Sequence, residues 1–298
     1  MTHLHFKGDN FRICQLTDIH LEHDRLHDER ECTCNVIRQS ILQTKPDLVV
    51  FTGDLAWGPN DDKMIDLLSG IMEELGVPWA PVLGNHDGQD LLGGGQPGRR
   101  MFAGFLLNRP GSLFELGPEE VFGNGNYTVT VGGTEEAPAW VLFLLDSPDS
   151  GFDVSQLLWY KNLSESYPDA CELAFFHIPL QEYTEVWDYH DCLGFNQERV
   201  CSTPLNDGLF SLMVRGGKMK GVFVGHDHIN DFEGTLHGIR LCYGRGSGYQ
   251  CYGLEGYPHG ARIIDLSPDG TFSTKIWLET GELYTQTRRH VHKLNCKG

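Results

Sequence analysis

Short apolar runs recur along the chain, and stretches with helical spacing separate most of them. Residues 11–16 (FRICQL), 47–52 (DLVVFT), 77–83 (VPWAPVL), 140–145 (WVLFLL), 172–176 (ELAFF) and 221–224 (GVFV) read as strands, the third edge-like because of its prolines. Residues 126–131 alternate as NYTVTV, a half-exposed strand. Helical spacing covers residues 28–43, ending before Pro46, and residues 61–75, where Ile65, Leu68, Met72 and Leu75 share one face. Residues 154–167 and 205–214 read as further helices, and 99–107 as a short one after the Gly-rich turn at 91–97. Residues 181–203 form a long, polar, aromatic segment expected to be an active-site loop. From residue 232 onward the pattern is β, with strands at 238–243, 261–266 and 271–278. The expectation is an α/β fold, a single domain over residues 1–298 with two sheets between helices.

Composition narrows the function classes. A formal net charge of -18 gives no basic stripe for nucleic-acid backbone. It leaves phosphate chemistry open, because bound metal ions can reverse the sign locally. The polar N-terminus lacks the apolar core of a signal peptide, and no run approaches the roughly 18 apolar residues of a membrane helix. The chain therefore reads as soluble and cytoplasmic. Its nine cysteines include no CxxC pair and read as reduced, mostly buried thiols, although Cys192 and Cys201 could bridge in an oxidising compartment.

Five polar clusters follow five of the apolar runs. They are Asp18-Ile19-His20, Gly53-Asp54, Gly84-Asn85-His86-Asp87, His177 and Gly225-His226-Asp227-His228. Ligands of α/β sheets sit beyond the carboxyl ends of the strands, so the clusters are expected to converge at one rim. Carboxylate and imidazole suit Zn, Mn and Fe. Spacing of two, as in Asp18/His20 and His226/His228, puts both side chains on one side of an extended backbone. The glycines before Asp54, Asn85 and His226 fit sharp strand exits. Each element alone is weak; their joint order at successive strand exits is specific.

D-x-H, GD, GNH[DE], H and GHxH in that order resembles the calcineurin-like metallophosphoesterase superfamily over Asp18 to His228. The tail, Tyr243 to Tyr249 and Gly260 to Ile264, resembles the branch related to purple acid phosphatases. The resemblance implies a four-layer αββα sandwich, with two mixed β-sheets flanked by helices. It also implies two divalent or mixed-valence metal ions, Mn, Fe or Zn. Asp18, His20 and His228 would hold one, Asn85, His177 and His226 the other, and Asp54 would bridge them. A metal-bridging hydroxide would then hydrolyse a small phosphorylated substrate, a monoester or a diester, with His86 as the catalytic histidine. Asp87 would orient its loop. A cyclic-nucleotide or nucleotide phosphodiesterase is the alternative enzyme, and a non-catalytic metal-binding scaffold the alternative of another class. Trp57 stands where purple acid phosphatases carry tyrosine, so a tyrosinate–ferric site is not implied. The GDxxDRG extension of serine/threonine phosphatases is absent.

Two further residues are candidate substrate contacts. Arg245 lies in YGRGSGYQCYG, as a phosphate contact or as an incidental turn arginine. His190, in the long polar segment, would line the pocket or remain solvated. His290 and His292 form an H-x-H without carboxylate or strand context and read as incidental.

Overall fold

The apolar runs become the strands of two sheets in the computed structural model, which describes residues 2–24, 27–287 and 289–291. In chain order the elements are β1 (Thr2–Leu4), β2 (Phe11–Leu16), α1 (His27–Thr44), β3 (Leu48–Thr52), α2 (Asp61–Leu75), β4 (Trp79–Val82), α3 (Gly95–Leu106), β5 (Tyr127–Gly133), β6 (Pro138–Leu144), α4 (Val154–Ser166) and β7 (Cys171–Phe175). Then follow α5 (Glu182–Tyr189), β8 (Cys192–Leu193), α6 (Leu209–Gly216), β9 (Met219–Val224), β10 (Glu233–Leu236), β11 (Ile239–Tyr243), β12 (Gly260–Leu266), β13 (Phe272–Leu278), β14 (Leu283–Tyr284) and β15 (Arg289–His290).

One sheet has the order β14-β13-β12-β2-β3-β4, the other β1-β5-β6-β7-β9-β11-β10-β8-β15. Both are mixed: β2, β3 and β4 run parallel, as do β6, β7, β9 and β11, with antiparallel partners around them. Alternation along β6 shows the layering. Leu142 and Leu144 join the core cluster that holds Ile13, Val49 and Phe51 of the facing sheet. Val141 and Phe143 join a second cluster with Tyr160 of α4, Tyr183 of α5 and Met213 of α6. Helices α1, α2 and α3 pack Ile37, Ile65 and Phe102 onto the first cluster. The four-layer sandwich of two mixed sheets between helices is thus as expected. Strand β4 lies at the end of its sheet, where the missing N–H of Pro81 costs no ladder bond.

Three local expectations are corrected. Residues 126–131 are not half-exposed: Thr128 and Thr130 are buried, because β1 pairs with β5 and His3 Nδ1 lies 2.8 Å from Thr130 Oγ1. The segment 181–203 is not one loop. Its first half is α5 and β8, anchored by buried Tyr183 and Val186, whose three-residue spacing is masked by polar neighbours. Helix α6 starts at Leu209 rather than 205, since Gly208 at φ 89 breaks the helical path. Among the described helices none is long and apolar enough to cross a membrane.

Asp61, in the first turn of α2, is 1% exposed, and among the described residues its carboxylate oxygens make no well-formed hydrogen bond, with only a weak contact from the Gly88 backbone. Burial lifts its carboxyl to about 7, with Asp90 and Asp62 adding to the rise. A raised carboxyl contributes stability in its protonated form, and that contribution is lost as pH rises through about 7. Asp61→Asn is therefore expected to raise the melting temperature by several degrees at pH 8 and to leave it unchanged at pH 4. Equal melting of the two proteins at pH 8 would reject this account.

Candidate metal centre

The five polar clusters leave the carboxyl ends of β2, β3 and β4 in one sheet and of β7 and β9 in the other. They meet where the two sheets share a rim. Backbone bonds zip the exits together: Asp18 N–H donates to Gly53 O at 3.2 Å, His20 N–H to Asp54 O at 2.9 Å, and Gly225 N–H to His177 O at 3.1 Å. The sheets are tied by His226 N–H, which reaches both Asp18 carboxylate oxygens at 3.1 Å.

Glycine is required at these exits. A Cβ on Gly225 would lie 1.9 Å from Thr17 Oγ1, and one on Gly84 would lie 2.1 Å from Asp54 Oδ1. Gly53 adds a left-handed φ of 88°. Asp18 (φ 54), His20 (φ 41), Asp54 (φ 53) and His226 (φ 77) also take left-handed conformations, which side chains adopt at a cost of order 1–3 kcal/mol each. Strain concentrated on candidate ligands marks this rim as a site.

Two donor groups result. The ligand atoms of Asp18, His20, Asp54 and His228 lie within 4.8 Å of one another, as do those of Asp54, His177 and His226. Asp54 belongs to both. Its Oδ2 is 3.4 Å from His20 Nε2 and 3.2 Å from His177 Nε2. Asn85 Oδ1 lies 3.0 Å from His177 Nε2, and His226 Nδ1 lies 3.2 Å from it. His20 Nε2 and His228 Nε2 are 3.3 Å apart, and His228 Nε2 is 3.5 Å from Asp18 Oδ1.

Hydrogen bonding orients the rings. His177 Nδ1 donates to Thr52 O at 2.8 Å and His228 Nδ1 to Tyr252 O at 3.2 Å, which aims each Nε2 at the centre. Around His177 Nε2 stand Asn85 Oδ1, Asp54 Oδ2 and His226 Nδ1, three atoms that can each serve as a metal ligand. Cations suit such a donor set, two carboxylates, four imidazoles and one amide oxygen.

The electrostatics agree. Burial drives the His20 and His226 rings down to about 3, the neutral form a metal needs. Burial opposes protonation of His177, but Asp54 outweighs it and carries the ring up to about 10. Burial likewise pushes Asp54 up, yet the His177 and His20 rings bring it well below the usual carboxylate range. Burial raises Asp18 against the pull of His228 and His177. The Asp54 charge is thus balanced by the His177 ring, and Asp18 is pushed toward its neutral form; a bound cation would take over both tasks.

His86 is half-buried. Its backbone N–H donates to Asp54 Oδ1 at 2.9 Å, its Nδ1 is 2.8 Å from Gln89 Oε1, and its ring lies 4.5 Å from that of Trp57. Asp87 is fully buried and accepts three backbone N–H groups, from Leu55 (2.8 Å), Ala56 (3.1 Å) and Gly84 (2.8 Å).

An open cleft of about 690 Å³ lies over the centre, lined by His20, Asp54, His86, His226 and His228. Arg245 and His190 are not among its lining residues. Arg245 is buried: Nη1 pairs with Asp231 Oδ2 at 2.7 Å, Nε donates to Pro258 O at 2.8 Å, and the guanidinium covers the Tyr257 ring. It is a structural ion pair, not a rim contact, because the Gly-rich turn directs it inward. His190 ends α5, its N–H bonded to Val186 O at 3.0 Å. His290 stacks on Trp187 at 3.9 Å, and His292 lies outside the described residues. The described cysteines are all free, Cys192 and Cys201 included.

Sequence reasoning missed Glu198, Arg199, Cys201, Cys251 and Tyr252, which also line the cleft. Tyr252 stacks on His228 at 4.1 Å, and its hydroxyl donates to Glu198 Oε2 at 2.9 Å. No short spacing marks any of these residues, and only the return of the chain between β11 and β12 brings Cys251 and Tyr252 here.

A two-sheet sandwich whose strand exits gather buried aspartate, histidine and asparagine around one shared carboxylate defines a class, the metallophosphoesterases with a dimetal site. The chain belongs to the Calcineurin-like phosphoesterase family, whose profile matches residues 11–230. An Arabidopsis thaliana protein named "Probable inactive purple acid phosphatase 28" is 34% identical, covering 88% of this chain and 77% of its own length. A Nostoc sp. protein named 3',5'-cyclic-nucleotide phosphodiesterase is 24% identical, covering 89% of this chain and 91% of its own. A crystal structure of a dimetal phosphatase from Danio rerio shares the fold, with a TM-score of 0.57 at 14% identity over 89% of this chain and 98% of that one.

Proposed function

We propose that the chain, acting as one domain, hydrolyses a phosphate ester at a centre of two metal ions. Asp18, His20 and His228 hold one ion, Asn85, His177 and His226 the other, and Asp54 joins both. The observation that carries this reading is the membership of Asp54 in both donor groups. The nitrogen and oxygen donors fit Mn, Fe or Zn. When bound, the ions polarise the phosphoryl group and supply a nucleophilic water at neutral pH.

The remaining chemistry belongs to the chain. His86 lines the cleft with Nδ1 held by Gln89, and among the described residues Nε2 has no hydrogen-bond partner. That nitrogen can give a proton to the leaving oxygen or stabilise phosphoryl charge. Arg199 is the exposed cation of the cleft and makes no ion pair among the described residues, so it is available to an anionic substrate. The free cysteines fit a reducing compartment, the cytoplasm in this reading.

His86→Ala is expected to lower kcat by about 10²–10⁴-fold with metal content unchanged. Unchanged turnover would remove His86 from the mechanism. Parallel rates on p-nitrophenyl phosphate and its bis ester distinguish a monoesterase from a diesterase. Turnover of cyclic nucleotides above both would favour the reading suggested by the Nostoc relative's name. The name "probable inactive" on the Arabidopsis relative favours a second reading, a metal-binding scaffold. Absence of turnover after loading with Mn, Fe, Zn or Co would support the scaffold.

A further inference from the structure

We infer that Cys251 is an additional ligand of the ion held by His20 and His228, giving that half of the centre a sulfur donor. The inference rests on the dimetal reading above and adds a residue that the five-part motif does not contain.

Cys251 Sγ lies within 4.8 Å of one ring nitrogen of His20 and one of His228. Its own hydrogen bonds are long ones to backbone carbonyls, Asp18 O at 3.9 Å and Gly248 O at 3.5 Å, so the sulfur lone pairs are unused. The segment carrying it is pressed onto the ligand loop. A Cβ on Gly248 would lie 2.4 Å from Asp18 O and 2.5 Å from Ile19 O, so only glycine permits that approach. Gln250 then pins the segment on both sides of one residue: Glu22 N–H donates to its Oε1 at 2.9 Å, and its Nε2 donates to Glu22 O at 3.2 Å. Tyr252 closes the clamp through its carbonyl on His228 Nδ1 and its ring on the His228 ring. The residues on either side of Cys251 are thus fixed to the loops of the two imidazoles it approaches.

A second thiol, Cys201, stands near His226 and Asp227. It is exposed, and its Asp227 neighbour is already bonded to the Tyr243 hydroxyl and to Cys201 N–H. Cys251 faces two imidazoles with no such competitor. Coordination releases the thiol proton to solvent as the metal–sulfur bond forms, with no change of oxidation state. A thiolate makes this half softer than the His177/His226 half, and so selects Zn, Fe or Co over Mn or Mg there.

The test uses the full chain loaded with Co(II) alone, followed by elemental analysis and absorption spectroscopy. A sulfur-to-cobalt charge-transfer band is expected in the wild type and in Cys201→Ser, and is expected to vanish in Cys251→Ser while two cobalt ions remain bound. Wild type loaded with two zinc ions should show one sulfur scatterer per two zinc at about 2.3 Å in X-ray absorption, a readout independent of how any variant folds. Cys251→Ser should also lose at least about tenfold in Zn affinity at one site, with a smaller change for Mn. Two bound cobalt ions without the band, or a band lost in Cys201→Ser instead, overturn the Cys251 assignment and leave the dimetal reading standing. Failure of the wild type to retain cobalt overturns both.

Discussion

Asp54→Asn is expected to cut bound metal from two ions per chain to one or none, and to lower kcat/KM by more than about 100-fold. The carboxylate stands 3.4 Å from His20 Nε2 and 3.2 Å from His177 Nε2, so it is the one side chain shared by both donor groups. An amide keeps the shape but removes the charge that balances two dications. Loss of a residue that merely orients a ligand costs about 10–100-fold in metal affinity, and loss of a shared anionic ligand costs more. His86 would suffer too, since its backbone N–H rests on Asp54 Oδ1. Elemental analysis with steady-state kinetics reads the result. An Asp54→Asn protein that keeps two ions and its turnover would remove the central carboxylate from the proposed chemistry.

Asp87→Ala should be the most damaging substitution for stability among the residues near the centre, by about 3–5 kcal/mol. The carboxylate binds Leu55 and Ala56, beyond β3, and Gly84, beyond β4. Alanine leaves three buried N–H groups without an acceptor, each worth about 1–3 kcal/mol. Such a loss is a large part of the roughly 5–15 kcal/mol that holds a domain folded, and the melting temperature should fall by roughly 10 °C. Asp87→Asn should recover part of it, because its carbonyl oxygen still accepts while its NH₂ opposes a donor. Melting curves of metal-free protein isolate this effect from ligand binding. A variant within about 1 kcal/mol of wild type would mean that Asp87 only decorates the loop.

The sequence by itself determined which residue types stand at which strand exits. Apolar runs ending in Gly-Asp, Gly-Asn-His or Gly-His-Asp-His are local patterns, and steric demand at the exits is local too. The conformations confirm it: Gly53 adopts a left-handed φ, and Gly84 and Gly225 leave no room for a Cβ. The same short-range logic found helix α2 at the bounds read from its periodicity. It failed for α5, where two buried apolar side chains sit among polar neighbours, and for β1, whose strand character comes only from pairing with β5 across more than a hundred residues.

Only the tertiary structure decided that two sheets, rather than one, supply the ligands, and which other side chains gather over them. Cys251 reaches the Asp18 carbonyl across 233 positions, and Gln250 reaches Glu22 across 228. Arg245, by contrast, turned away from the rim to pair with Asp231. Contacts so distant leave no period in the chain, because they are selected by how layers pack and by which buried charge needs a partner. A motif states its own chemistry through spacing; the neighbours that tune that chemistry are set by burial and long-range pairing.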